Sequence, residues 1–132
     1  MLKYPCLVLD HDDTVVQTMK TMSYPFFLYG LNIFRPGETI SFADYVRDCH
    51  DYGFVELCRL RYGYTDEELA REHDMWMEYV LSHTPDPYPG IGAVLHRQKE
   101  EGGLICVVSH SRNDNILRDY RAHFGFDPDA IY

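Results

Sequence analysis

Cys6-Leu7-Val8-Leu9-Asp10-His11-Asp12-Asp13-Thr14-Val15-Val16 sets three carboxylates within four residues at the end of an apolar run. Like charges this close repel one another and resist desolvation, so the cluster calls for a cation or a transferable proton. The run itself, residues 4–10, is short, apolar and bounded by Pro5 and Asp10, which predicts a strand buried on both faces. Leu104-Ile105-Cys106-Val107-Val108 repeats the pattern and also ends in polar residues.

Working outward, the segments around the second run have helical punctuation. Pro89-Gly90-Ile91 opens a stretch with apolar Ile91, Val94 and Leu95, and Gly102-Gly103 closes it. Asn113 to His123 predicts a further helix stopped by Gly125, and Ala130-Ile131-Tyr132 begins a third strand. A helix-strand-helix-strand order is the grammar of a parallel sheet, so the fold class is α/β, Rossmann-like.

Between Thr18 and His83 the pattern changes. Thr65-Asp66-Glu67-Glu68 is a capping box, followed at helical spacing by Leu69, His73, Trp76, Met77 and Val80. Ser41 caps a second helix through Tyr45 and Val46, and Gly53 to Arg61 predicts a third, with Pro36-Gly37 and Gly63 as breaks. An all-helical insert, residues 18–83, therefore interrupts an α/β core of residues 1–17 and 84–132. Thr84-Pro85-Asp86-Pro87-Tyr88-Pro89 is a stiff, extended return linker. We expect the insert to move against the core as a hinged unit. Its Tyr and Phe residues are expected to form its own core and its contact with the main domain, with a few lining a substrate entrance.

Composition narrows the function classes. With 132 residues, 45% of them apolar, the chain can bury one respectable core. A formal charge of −9 argues against nucleic acid and anionic lipid as partners and favours a local cation. No charged-then-apolar leader and no apolar run of about 18 residues is present, so the expectation is a soluble, cytoplasmic chain without a membrane partner. Cys6, Cys49, Cys58 and Cys106 form no CxxC pair and are expected to be reduced structural thiols.

In a parallel sheet the ligand site lies beyond the carboxyl ends of the strands, where Asp10, Asp12, Asp13 and Thr14 follow the first strand and Ser109 the second. A carboxylate such as Asp10, held by a metal ion, can attack a phosphoryl group, giving an aspartyl phosphate. Asp12 faces the same mouth and can protonate the leaving oxygen, then deprotonate water. Ser109 would hydrogen-bond the phosphoryl oxygens, with Thr14 orienting the loop and completing phosphate binding. Asp10 and Asp12 are the candidate metal ligands, and Mg2+ suits an all-oxygen site completed by phosphate. His11 and His110 flank the two motifs and are expected to be solvated loop residues. Arg47, Arg59 and Arg61 are expected on solvated helix faces.

These residues resemble the haloacid dehalogenase (HAD) superfamily, in particular capped members similar to phosphoglycolate phosphatase. Asp10-His11-Asp12-Asp13-Thr14 after its strand is similar to the first family motif, Val107-Val108-Ser109 to the second, and Tyr88-Pro89-Gly90-Ile91 to the segment by which the capped subgroup re-enters its core. The resemblance implies a three-layer core with an inserted helical cap. It assigns Asp10 as nucleophile and Asp12 as general acid/base that also lends its backbone carbonyl to Mg2+. The position usually held by Gly is Asp13. The implied function is a Mg2+-dependent phosphatase acting on a small phosphorylated metabolite. The alternatives are a phosphomutase of the same fold, or a catalytically incomplete binding or structural fragment. Asp12 argues against the dehalogenase branch, which carries no Asp there. The family supplies a Lys and acidic metal ligands after its second motif, whereas no Lys follows Ser109 here. We therefore expect these 132 residues to be the N-terminal portion of a longer phosphatase, with strand one left as a bare sheet edge, and alone to bind Mg2+ weakly and turn over little.

Overall fold

The computed structural model describes residues 2–132. In chain order the elements are β1 (Cys6–Leu9), a π-helical turn (Met19–Ser23), α1 (Tyr24–Phe34), α2 (Phe42–Tyr52), α3 (Phe54–Tyr62), α4 (Asp66–Ser82), α5 (Ile91–Glu100), β2 (Leu104–Val107), α6 (Asn113–His123) and β3 (Ala130–Ile131). They fall into two compact units, Met1–Thr18 with Pro85–Tyr132, and Met19–Thr84.

The first unit is a parallel sheet in the order β1-β2-β3. Pairing of Leu7 with Ile105 and of Leu9 with Val107 aligns the ends of β1 and β2, so the loops that follow them start side by side. Because strand residues alternate between faces, Ile105 and Val107 share one face. There they join Leu95 of α5 and Ile116, Tyr120 and Phe124 from α6 and its end in one buried cluster. Glycine is required at Gly103, just before β2. A Cβ there would meet the Gln98 amide at 2.4 Å, and that amide donates to the carbonyls of Tyr4 and Leu104.

The opposite sheet face differs from the sequence expectation. Val8 is 66% exposed and Leu104 51%, so β1 is buried on one face rather than two. Helices α5 and α6 both pack on the Ile105 side, and β1 has β2 as its one described neighbour, an edge strand. Cys6 and Cys106 lie on the open face with their sulfurs 3.5 Å apart, and all four cysteines are free thiols.

The two chain segments that leave and re-enter this unit pair with each other. Gln17 donates its amide to the Asp86 carbonyl at 2.7 Å, and Tyr88 donates to Val15 at 3.0 Å. The prolines at 85, 87 and 89 carry no N–H, which leaves this short antiparallel rung bounded by residues that cannot extend it.

The second unit is helical. Ser41 accepts from the Asp44 amide to start α2, and Thr65 with Glu68 forms the capping box that starts α4. Gly63 ends α3 at φ +63°, a left-handed position that suits glycine. The core is aromatic: Phe27, Tyr45, Tyr62 and Tyr64 are buried with Leu31, Leu57 and Cys58. Arg35 grips Glu68 with two nitrogens at 2.6 and 2.8 Å and holds its carboxyl down at about 2. Arg61 of α3 binds Asp48 of α2 and Arg59 of α3 binds Asp66 of α4, which ties helix to helix, whereas Arg47 pairs with Asp44 and Asp48 of its own helix.

The inward stripe of α4 is rotated from the one predicted. His73 and Met77 are exposed, whereas Glu72 is only 3% exposed. Burial without a partner for Oε2 raises its carboxyl from 4.5 to about 7. A carboxyl raised on folding lends stability that is whole below pH 4.5 and is lost as pH rises through about 7. The expected loss is on the order of 3 kcal/mol. Glu72→Gln should abolish that slope. Unfolding midpoints of both chains between pH 4.5 and 8, followed by Trp76 fluorescence, check this. Parallel pH profiles for the two would contradict it.

Candidate active site

Asp10 is the first residue beyond β1, and its carboxylate is exposed. One oxygen, Oδ1, accepts the His11 amide at 2.7 Å. The other is held by none of the described residues and faces solvent chemistry unencumbered.

The loop that follows is wound around the His11 carbonyl, which accepts the amides of Thr14, Val15 and Val16 at 3.2, 2.9 and 3.3 Å. Asp13 returns its amide to Val16 at 2.7 Å and sits at φ +59°, the one non-glycine residue in the left-handed region among those described. Asp tolerates that conformation better than most residues, which explains how it occupies a position the resembling family gives to Gly.

Both carboxylate oxygens of Asp12 are held. Thr18 donates to its Oδ1 at 2.6 Å, and Ser111 donates to its Oδ2. The Ser111 contact joins the loop after β1 to the loop after β2, two segments 99 residues apart in sequence. Ser109, at the mouth of β2, accepts the Ser111 amide on its hydroxyl at 3.1 Å and so shapes that second loop. Val108 donates to the Leu9 carbonyl at 2.9 Å, which keeps the two strand ends in register.

Of the residues singled out from the sequence, Asp10, Asp12 and Ser109 thus converge. Thr14 is exposed and enters through its backbone amide. Thr18 and Ser111, which touch Asp12 directly, escaped the sequence reading. The sequence pattern puts Thr18 at the start of the helical insert, whereas the structure groups it with the α/β unit. Ser111 stands two positions past Ser109, and that spacing was the available signal.

His11 corrects an expectation outright. It is not a solvated loop residue but 1% exposed, with Nε2 donating to Asp119 Oδ2 at 2.8 Å and its ring stacked on Tyr120 at 5.8 Å. Arg118 binds the other Asp119 oxygen at 3.0 Å. His11 therefore fastens the loop to α6 from beneath while Asp10 and Asp12 emerge on either side. His110 is exposed, as the sequence suggested.

Mg2+ takes one or two carboxylates, waters and substrate phosphate oxygens. An all-oxygen set built on the Asp10 carboxylate, whose Oδ1 accepts one amide and keeps a lone pair, fits that preference, and no backbone amide among the described residues donates to the Asp12 carbonyl. The described residues contain no cluster of three His, Cys, Asp or Glu side chains able to hold a metal unaided. The fit is therefore to a cation shared with substrate rather than a closed protein cage. Among the described residues no helix is long and apolar enough to cross a membrane.

The same architecture occurs in solved structures. A hydrolase from Streptococcus pneumoniae TIGR4 aligns with a TM-score of 0.72 at 19% identity, covering 98% of this chain and 66% of that one. CbbY from Rhodobacter sphaeroides, in complex with xylulose-(1,5)bisphosphate, aligns at 0.65 and 18% identity, covering 96% and 62%. A predicted phosphoglycolate phosphatase from Haemophilus somnus 129pt aligns at 0.69 and 16% identity, covering 99% and 63%. The chain thus spans less than two thirds of the length of these proteins. No protein-family model and no curated protein sequence matches it. At such identities the likeness establishes the fold, which is the HAD-like α/β fold.

Proposed function

We propose that the chain carries the nucleophile and the acid/base of a Mg2+-dependent phosphatase acting on a small phosphorylated metabolite. The observation that carries this reading is the contrast between two carboxylates two residues apart. Asp10 is exposed with one oxygen open, while Asp12 is fixed by a hydroxyl on each oxygen. One is placed to react, the other to transfer a proton from a set position. The names of the solved structures with this fold, a hydrolase and a phosphoglycolate phosphatase among them, and the sugar bisphosphate held by CbbY support the same class.

In the proposed reaction the open Asp10 oxygen attacks phosphorus, and the bond from phosphorus to the ester oxygen breaks. Asp12 gives its proton to that departing oxygen, releasing an alcohol and leaving an aspartyl phosphate on Asp10. Asp12, now a base, takes a proton from water, which attacks phosphorus and frees inorganic phosphate with Asp10 restored. The Ser109 hydroxyl, which accepts the Ser111 amide and keeps its own proton to give, and the His110 amide offer donors to the phosphoryl oxygens. Mg2+, held by the Asp10 carboxylate and the Asp12 backbone carbonyl, would supply positive charge against those oxygens.

Phosphate release from an aryl phosphate, with 5'-blocked and sugar phosphates as a second panel, is expected to require added Mg2+ and to stop with EDTA. Acid quench during turnover should trap phosphate on the chain, labile to hydroxylamine as an acyl phosphate is. Release that is indifferent to Mg2+, or steady turnover with no trapped acyl phosphate, would refute the mechanism.

A further inference from the structure

The helical unit contains a cavity of about 300 Å3 walled by Phe26, Phe54, Leu69 and Trp76, with Ser23 and Glu72 supplying polar atoms. Its size falls at the small end of ligand pockets. Glu72 is 3% exposed, and its Oε2 has no hydrogen-bond partner. A carboxyl buried in this way costs free energy unless something completes it. The surrounding helices do not: no Lys or Arg lines the cavity, and the one other titratable lining residue is the exposed His73. Phe26 and Trp76 stand 5.2 Å apart at 60°, so two ring systems border the same space.

Those features select a ligand chemistry. A phosphate or carboxylate would be repelled by Glu72, and a divalent metal would find a single carboxylate. An uncharged apolar molecule would leave the carboxylate without a counter-charge. An ammonium group answers both the carboxylate and the aromatic faces, since ring faces attract cations and a desolvated carboxylate needs a charged donor. We propose that this cavity binds a small organic ammonium ion carrying a short apolar or aromatic body, with Glu72 as its counter-ion and Trp76 and Phe26 as its walls. The raised carboxyl of the empty cavity, at about 7, is the state such a cation would reverse. The inference stands on the helical unit alone and is independent of the chemistry assigned to Asp10.

Trp76 is the only tryptophan, so its emission reports the cavity directly. Benzylamine titrated into the full chain at pH 8 is expected to change that emission saturably, with a Kd of about 1 mM or tighter. Benzyl alcohol and benzoate, of the same shape but without the cation, should bind at least ~10-fold more weakly, a difference of about 1.4 kcal/mol. Glu72→Gln should remove the preference for benzylamine over benzyl alcohol. Val55→Phe, which fills the lining from an exposed position, should block all three and covers the case in which Glu72→Gln fails to fold. Equal binding of alcohol and amine, an amine preference retained in Glu72→Gln, or no saturable change to about 10 mM would overturn the proposal.

Discussion

In a catalytically complete chain, Asp10→Asn is expected to reduce phosphate release by at least ~10^3-fold and to eliminate the trapped acyl phosphate, because an amide oxygen is a poor nucleophile and the covalent route then has no entry. The fold should survive the change. Asp10 is exposed, and its one hydrogen bond among the described residues, from the His11 amide, can be accepted equally by the Asn carbonyl oxygen. Asp12 behaves differently. Its two oxygens hold Thr18 and Ser111, so Asp12→Ala removes a proton donor and two loop contacts at once. Asp12→Asn keeps an acceptor for Thr18 and isolates the proton-transfer role. For Asp12→Asn we expect a loss of ~10^2 to 10^4-fold, the usual worth of a positioned acid or base, with an unchanged unfolding midpoint. Aryl phosphates with better leaving groups should recover formation of the acyl phosphate but not its breakdown, since the first step then needs no proton and the second still needs a base. Full activity in Asp10→Asn, or an Asp12→Asn defect that leaving-group acidity does not touch, would remove the respective assignment.

Local chemistry made much of this legible in advance. The helix at Asn113–His123, the caps at Ser41 and Thr65 and the third strand at Ala130 are written in neighbouring residues, and the structure places them where the sequence did. Partners across long separations were not legible. His11 reaches Asp119 over 108 residues, and nothing within the loop distinguishes a histidine pointing inward from one in water. The open sheet face was hidden for a related reason. Cys6, Leu7, Val8 and Leu9 are all apolar, so alternation carries no contrast, and only the positions of α5 and α6 decide which pair is covered. On α4 a glutamate held the centre of the inward stripe, and hydrophobic periodicity passed over it. At His11 and Glu72 a polar residue is buried by tertiary packing against its own propensity, one at the candidate catalytic loop and the other at a cavity. That is where consistency between local and global preference is expected to fail.

His11→Ala is expected to destabilise the α/β unit by about 3–5 kcal/mol, the cost of removing one member of a buried pair and leaving the other behind. Three contributions act together. Asp119 Oδ2 loses its donor, although Arg118 still binds Oδ1 and softens the effect. Tyr120 loses the ring stacked on it, and a void opens in the buried space that the imidazole fills. Native stabilities are commonly ~5–15 kcal/mol, so the change takes a large share of what holds the unit together. Asp119→Asn should cost much less, about 1 kcal/mol, because its carbonyl oxygen can still accept from His11 Nε2. The double variant His11→Ala/Asp119→Ala should be less unstable than the sum of its singles, the sign of a direct interaction. A merely bulky His11 would predict otherwise, and hydrogen exchange separates the two. The amides of Thr14, Val15 and Val16 all donate to the His11 carbonyl. If the imidazole anchors that carbonyl through α6, these three should lose protection in Asp119→Ala, where the histidine itself is intact. Should they remain as protected as in the parent chain, His11 fills space without fixing the loop, and the positions of Asp10 and Asp12 would have to be set by Thr18 and Ser111 alone.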